Sequence, residues 1–335
     1  MELNRPTSNP HTQPGIPRLP RSAKNADGQL RCVGVELEFT GLTLGEICRR
    51  LQASAGGRIV KRSDYEAEVV QTRVGRVGVE LDAALFRDLK VKGFLEGLEL
   101  DRLSDQLAER VEGALADGAQ RLVPFEVVFD PLPIACLGQL DPIRAALRPG
   151  AEGTHTSLLN AFGLHLNPEV PSVEPAMILR YLRAFLVLHD RLCILHDVDI
   201  ARRVSPFIDP FPDAYINRVL QPDYAPDGGR LIDDYLKYNP TRNRPLDLLP
   251  LLAWIDEDRV RAALPEEKIS RRPAFHYRLP NSQIDEAQWR IVGEWNRWME
   301  VEDLAADEGL LAEGMRAERL ARESPLTRFL ERFWK

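Results

Sequence analysis

The chain has 335 residues, 44% hydrophobic and 28% charged, an ordinary globular balance with enough apolar material for one large domain or two medium ones. Its 51 acidic and 44 basic residues give a formal charge of −7, which argues against a generic nucleic-acid binder, because neutralising phosphates needs clustered Lys and Arg. The four cysteines, Cys32, Cys48, Cys136 and Cys193, form no CxxC pair, which speaks against a zinc knuckle or redox pair and for reduced core thiols in a cytoplasmic protein.

Residues 1–22 are polar, rich in Pro, Asn and Arg, and lack the apolar core of a secretory signal. We expect a disordered tail over residues 1–28. Strands follow at Arg31–Thr40, Gly57–Arg62, Tyr65–Arg73 and Arg76–Asp82, the last after a turn at Gly75. Leu103, Leu107, Val111 and Leu115 predict a helix over Asp101–Asp117. Leu122–Phe129 reads as a strand stopped by Asp130-Pro131, and Ala161–Asn167 as another, ended by Pro168. Glu174–His196 reads as a long helix with Pro175 in its first turn, and its Arg, His and Asp residues rule it out as a membrane span. Ser205–Gly229, rich in Pro, Asp and Gly, is expected to be an irregular loop. Short helices are expected at Leu231–Lys237 and Leu246–Ile255, a late strand at Phe275–Pro280, and a helical stripe through Trp289, Val292, Trp295 and Met299.

This is a meander of strands followed by helices, without the βαβ alternation of a dinucleotide-binding fold. GxGxxG, GxxxxGK[ST], Gly-x-Ser-x-Gly and His-Glu-x-x-His are all absent. What remains is carboxylates on strands. In Gly34-Val35-Glu36-Leu37-Glu38-Phe39, alternation puts Glu36 and Glu38 on one face and Val35, Leu37 and Phe39 on the other. Two adjacent like charges suit a divalent cation, magnesium or manganese; a solvated edge strand reads equally well from these residues alone. Glu126 interrupts an almost wholly apolar strand, where an unpaired carboxylate is costly. Glu80 and Asp82 repeat the one-face pattern, whereas Asp64 reads first as a turn former. His165 and Asn167 share a strand face and suit a metal or a phosphate oxygen, or a hydrogen-bonded core histidine. Arg242 and Arg244, in a Pro-bounded loop, and Arg278, between aromatics, suit carboxylate or phosphate recognition, with surface salt bridges as the bland alternative.

In this order and spacing, from about Cys32 to about Leu304, the motifs resemble the putative amidoligase family, within the glutamine synthetase and glutamate–cysteine ligase superfamily of carboxylate–amine ligases. The resemblance rests on Gly34–Phe39, Glu126 before Pro131, Gly163-Leu164-His165-Leu166-Asn167, Asn239–Arg244 and His276-Tyr277-Arg278-Leu279-Pro280. It implies an α+β fold: a curved, mostly antiparallel sheet of the glutamine synthetase type, with helices on its convex side and at the C-terminus. The catalytic domain would span residues 29–304 and a helical extension residues 305–335. It implies ATP with Mg2+, or Mn2+, held by Glu36, Glu38 and Glu126. His165 and Asn167 would lie near the metal and the nucleotide phosphates, Arg278 on phosphate or substrate carboxylate, and Arg242 and Arg244 in support. The superfamily often has Glu where this chain has His276, so a nitrogen ligand enters the metal count.

The activity this implies is ATP-dependent amide formation through an acyl phosphate, with small-molecule or peptide carboxylates and amines as substrates and no nucleic acid or membrane as partner. Asp64 and Glu80 are candidate bases by residue type, and Ser205–Gly229 is the candidate lid. Rival readings are a guanidino-kinase-like phosphotransferase, a non-catalytic nucleotide- or peptide-binding family member, and, least favoured, a metal-dependent hydrolase. Substrate identity and oligomeric state are not encoded legibly.

Overall fold

The computed structural model describes residues 15–81, 124–156, 161–267 and 269–323. The helix expected at Asp101–Asp117, the start of the strand expected at Leu122, and Asp82 lie outside the described residues.

Eight strands form one curved, open sheet. They are β1 (Cys32–Phe39), β2 (Arg58–Lys61), β3 (Glu66–Thr72), β4 (Gly75–Leu81), β5 (Phe125–Pro133), β6 (Leu164–Pro168), β7 (Leu246–Asp247) and β8 (His276–Tyr277). The spatial order is β2-β3-β4-β5-β1-β6-β8-β7, and every neighbouring pair is antiparallel. The mixed architecture expected from the sequence is therefore present.

Alternation in β1 decides the layering. Val33, Val35, Leu37 and Phe39 are fully buried and share one core with Leu44, Ile47 and Leu51 of helix α1 (Leu44–Ala55) and with Ile143 and Leu147 of α2 (Leu140–Leu147). The same apolar face continues through Val77 and Val79, Phe125 and Val127, Leu164 and Leu166, and Tyr277. The opposite face carries mostly polar residues, with Val128 opposite Glu36 among the exceptions. α1 starts on a capping box: the Glu46 amide donates to Thr43 Oγ1 at 3.3 Å and the Thr43 amide to Glu46 Oε2 at 2.9 Å.

β5 runs further than expected. It continues through Asp130-Pro131 to Pro133, and the register slips there: Val33 faces Leu132 while Val35 faces Phe129. Two residues of β5, Asp130 and Pro131, thus oppose the single Gly34 of β1. Such a bulge tolerates a proline that has no N–H to give the ladder.

The helices are α3 (Pro175–Leu195), α4 (Ile200–Val204), α5 (Asp213–Val219), α6 (Gly228–Tyr238), α7 (Leu249–Ile255), α8 (Glu257–Ala263), α9 (Ile291–Ala305) and α10 (Glu308–Glu323). α3 packs against both α9 and α10. Ser205–Gly229 is not the irregular loop its composition predicts. It holds a short turn at Pro206–Ile208 and helix α5, where Tyr215, Ile216 and Val219 bury an apolar face. Burial of that face outweighs the breaker content. The helix expected over Leu246–Ile255 begins only at Leu249, because Leu246 and Asp247 pair with Tyr277 and His276. Trp289 precedes α9 and caps it sideways, its Nε1 donating to Glu294 Oε1 at 2.8 Å.

The stretch before β1 is docked from residue 15 on. Arg18 pairs with Asp303 at 2.5 Å, the Arg18 carbonyl accepts from Trp295 Nε1, and Asn25 donates to Glu169. Arg31 is 1% exposed and makes a two-pronged ion pair with the equally buried Glu302 of α9.

Candidate active site

Register assembles the site on the polar face of the sheet. Glu38 lies opposite Glu126, Glu126 opposite Glu80, and Glu80 opposite Glu66, so one row of carboxylates crosses β1, β5, β4 and β3. On the other flank of β1, Glu36 lies opposite His165 and Gly34 opposite Asn167. Pairing of Leu166 with Tyr277 then sets Asn167 beside His276 and His165 beside Arg278, and pairing of β8 with β7 sets His276 beside Asp247.

His165 is the hub. Its Nδ1 lies 3.2 Å from Glu36 Oε2 and its Nε2 3.4 Å from Glu38 Oε1. Glu38 also accepts the Gly163 amide at 2.7 Å on its other oxygen. Glu36 Oε1 accepts from Asn167 Nδ2 at 2.8 Å and lies 3.5 Å from Arg272. Glu36 Oε2 is also 3.5 Å from His276 Nε2, and the two imidazoles meet edge to face at 5.0 Å.

Burial raises the Glu36 carboxyl, but His276, the His165 hydrogen bond and Arg272 outweigh it and hold Glu36 well below the usual carboxylate range. Burial, with Arg278 adding to it against Glu36, pushes His276 well below the usual imidazole range; burial also lowers His165. At neutral pH the cluster is therefore an anionic Glu36 between two neutral imidazoles, each with a lone pair to offer. Burial lifts Asp247, behind His276, to about 6, against the pull of Arg242 and the Leu249 amide.

These residues fit a metal. Ligand atoms of Glu36, His165 and His276 lie within 4.8 Å of one another, and so do those of Glu38, Glu126 and His165. Both ring nitrogens of His276 are buried without a hydrogen-bond partner. A buried polar group left in this state costs about 1–3 kcal/mol, which a bound cation removes.

Of the residues expected from sequence, Glu36, Glu38, Glu126, His165, Asn167 and His276 converge here, and Arg278 is close enough to lower His165 and His276. Arg242 lies 3.9 Å from Asp247 at the edge. Arg244 is engaged elsewhere: it donates to Asn239 and to the carbonyls of Asp209 and Pro210. Asp64 is exposed at the β2–β3 turn and paired with Lys61, as a turn residue would be. Glu80 is hydrogen-bonded to Glu126, and its carboxyl is raised by burial and by Glu66.

Two site residues escaped sequence reasoning. Arg272 donates to Asn167 Oδ1 at 2.7 Å and reaches Glu36. It precedes Pro273, so the criterion that singled out Arg242 and Arg244 would also have found it. Asp247 is fully buried behind His276, but its sequence context reads as a helix start.

Gly163 shows how tightly the hub is built. A Cβ there would sit 2.7 Å from His165 Nε2 and 2.7 Å from Arg202 Nη1. Arg202 cannot yield, since it holds the carbonyls of Phe162, Pro280 and Arg278. Gly163→Ala is expected to cost about 1–3 kcal/mol and to displace the imidazole. A lowered melting temperature together with shifted His165 ring resonances in NMR would report both effects.

The sequence model of the family described as "putative amidoligase enzyme" matches residues 29–300. The chain belongs to that family. No protein of curated function and no solved structure matches it. The family's description supports a ligase in general terms, and in this amidoligase-family chain Glu36, Glu38, Glu126, His165 and His276 lie together on one sheet face. Among the described residues, no helix is long and apolar enough to cross a membrane.

Proposed function

We propose that the protein is an ATP-dependent carboxylate–amine ligase working through an acyl phosphate, on a sheet of the glutamine synthetase catalytic type. One observation supports this above the others. Glu36, Glu38, Glu126, His165 and His276 converge on one face of the sheet, with Arg272 and Arg278 beside them. Anionic ligands for cations next to guanidinium groups for phosphate oxygens are what phosphoryl transfer to a carboxylate needs.

Glu36, Glu38 and Glu126 would hold divalent cations, Mg2+ among them, that would offset charge on the phosphate oxygens. Arg278 and Arg272 steady the transferring phosphoryl group from the β8 side. The substrate carboxylate oxygen attacks the γ-phosphorus, and the bond to ADP breaks. The amine nitrogen then attacks the acyl carbon, phosphate leaves, and nitrogen gives up a proton. Glu80, beside Glu126 and raised by burial, is placed to receive that proton, whereas Asp64 sits on an exposed turn. Arg242 lies at the rim, suited to a substrate anion, and Arg244 would act only indirectly, by fixing the Asp209–Pro210 loop. We place the reaction in the cytoplasm, where the four free cysteines would stay reduced.

The test is a screen of pooled carboxylates and amines for phosphate release from ATP. Release only when both are present, with a product mass equal to their sum minus one water, is the expected result. A phosphorylated product with no amide would overturn the reading in favour of a phosphotransferase.

A further inference from the structure

We infer that the site is a mixed two-cation centre. Glu36, His165 and His276 form a nitrogen-rich position for a borderline first-row ion such as Zn2+ or Co2+, while Glu38 and Glu126 form a separate oxygen position for Mg2+ and nucleotide phosphate. The inference rests on the ligase reading only in taking the cluster to hold metal.

The donor set carries the argument. Magnesium demands oxygen ligands and keeps much of its water, whereas two imidazoles and one carboxylate suit a softer ion, which binds such a set more tightly along the first-row series. Each ligand atom is already aimed. Asn167 Nδ2 occupies Glu36 Oε1 at 2.8 Å, leaving Oε2 to face His165 Nδ1 at 3.2 Å and His276 Nε2 at 3.5 Å. His276 is 2% exposed and neither ring nitrogen has a hydrogen-bond partner. On its far side, Asp247 Oδ2 lies 3.7 Å from Nδ1 and is buried without a hydrogen-bond partner, with Arg242 Nε 3.9 Å away, while Asp247 Oδ1 is fixed by the Leu249 amide at 2.9 Å. A carboxylate hydrogen-bonded behind an imidazole orients the ring, fixes its tautomer and makes the outward nitrogen a better ligand; at 3.7 Å Asp247 stands just outside that contact, within reach of a small ring movement on metal binding. Here that outward nitrogen is Nε2, the one facing Glu36.

His165 divides the two positions. A neutral imidazole has one lone pair. With Nδ1 committed to the ion beside Glu36, Nε2 carries the hydrogen and points it at Glu38 Oε1, 3.4 Å away. Glu38 and Glu126 then act without nitrogen, as a hard oxygen position next door. His276 thus makes one of two adjacent positions borderline while the other stays hard.

The experiment uses the full chain, stripped by chelator and titrated with Co2+ in excess Mg2+. Wild type is expected to bind one Co2+ with visible ligand-field bands of nitrogen coordination, and to retain it through gel filtration in millimolar Mg2+. His276→Glu should weaken Co2+ by at least about a hundredfold, and the isosteric Asp247→Asn by about 10–100-fold, with melting curves confirming the fold of each. Displacement of Co2+ by Mg2+ in wild type, or a folded His276→Glu that binds Co2+ as wild type does, would overturn the inference. Mg–ATP binding measured in parallel separates the two claims. Wild type that binds Mg–ATP but retains no Co2+ defeats only this inference, and wild type that retains Co2+ but never binds Mg–ATP defeats only the ligase reading.

Discussion

Glu38→Gln is expected to lower ATP-dependent phosphate release by about 10²–10³-fold while the chain stays folded. Glu38 is 7% exposed, with one oxygen taken by the Gly163 amide at 2.7 Å and the other 3.4 Å from His165. Glutamine keeps the volume but brings an NH2 group where only acceptors fit. It points either at the Gly163 N–H, donor against donor, or into the position meant for a cation. The first disturbs the Gly163–His165 corner, and the second removes a ligand charge. Both remove stabilisation of the transferring phosphoryl group, and the loss of one such preorganised electrostatic contact lowers turnover by about 10²–10³-fold. Phosphate release measured beside circular dichroism and a melting curve separates the chemical loss from unfolding. A folded Glu38→Gln protein that forms amide at the wild-type rate would sink the role given to Glu38.

Glu302→Ala is expected to produce the largest loss of stability, about 3–5 kcal/mol. Glu302 lies in α9, 2% exposed, and its oxygens collect four donors. Arg31 Nη2 reaches Oε1 at 2.7 Å and Arg31 Nη1 reaches Oε2 at 3.0 Å. Trp298 Nε1 reaches Oε1 at 3.1 Å, and Tyr181 Oη of α3 reaches Oε2 at 2.5 Å. The pair ties the residue entering central strand β1 to helix α9 and, through Tyr181, to the long helix α3. Truncation leaves a guanidinium buried without its counter-charge, which is far worse than never having buried the pair. The midpoint of chemical denaturation reads the effect. Arg31→Met combined with Glu302→Leu should recover most of it, because the uncompensated charge then disappears. A single Glu302→Ala variant that lost under about 1 kcal/mol, the range of exposed pairs, would show the bridge to be ornamental.

The local alphabet of this fold was largely readable. Alternation in Val33–Phe39 named both the core face and the carboxylate face of β1, and Pro175 marked the start of α3. Both are local facts: strand pleat and proline geometry act over a few residues. Reading failed where distant burial outweighed local chemistry. Tyr215, Ile216 and Val219 made a helix inside a breaker-rich stretch, a bulge carried β5 across Pro131, and pairing with β8 took Leu246 and Asp247 out of a helix.

The sequence by itself picked out the polar residues that meet on the sheet: Glu36 and Glu38 on one face, a lone Glu126 in an apolar strand, His165 with Asn167, and Arg278 after an unexpected His276. Side-chain type and two-residue alternation are written in the chain, and so was the family that residues 29–300 confirm. Only the tertiary structure decided who neighbours whom. Strand order puts β6 and β8, more than a hundred residues apart, on one flank of β1, and so sets His165 and His276 on the same oxygen of Glu36. It also recruits Arg272 and Asp247, whose surroundings in sequence look like surface loop and helix start. The reason is physical. Pairing across a sheet is paid for by burial of the apolar face far from these polar groups, so no local pattern around Glu36 carries the identity of its partners.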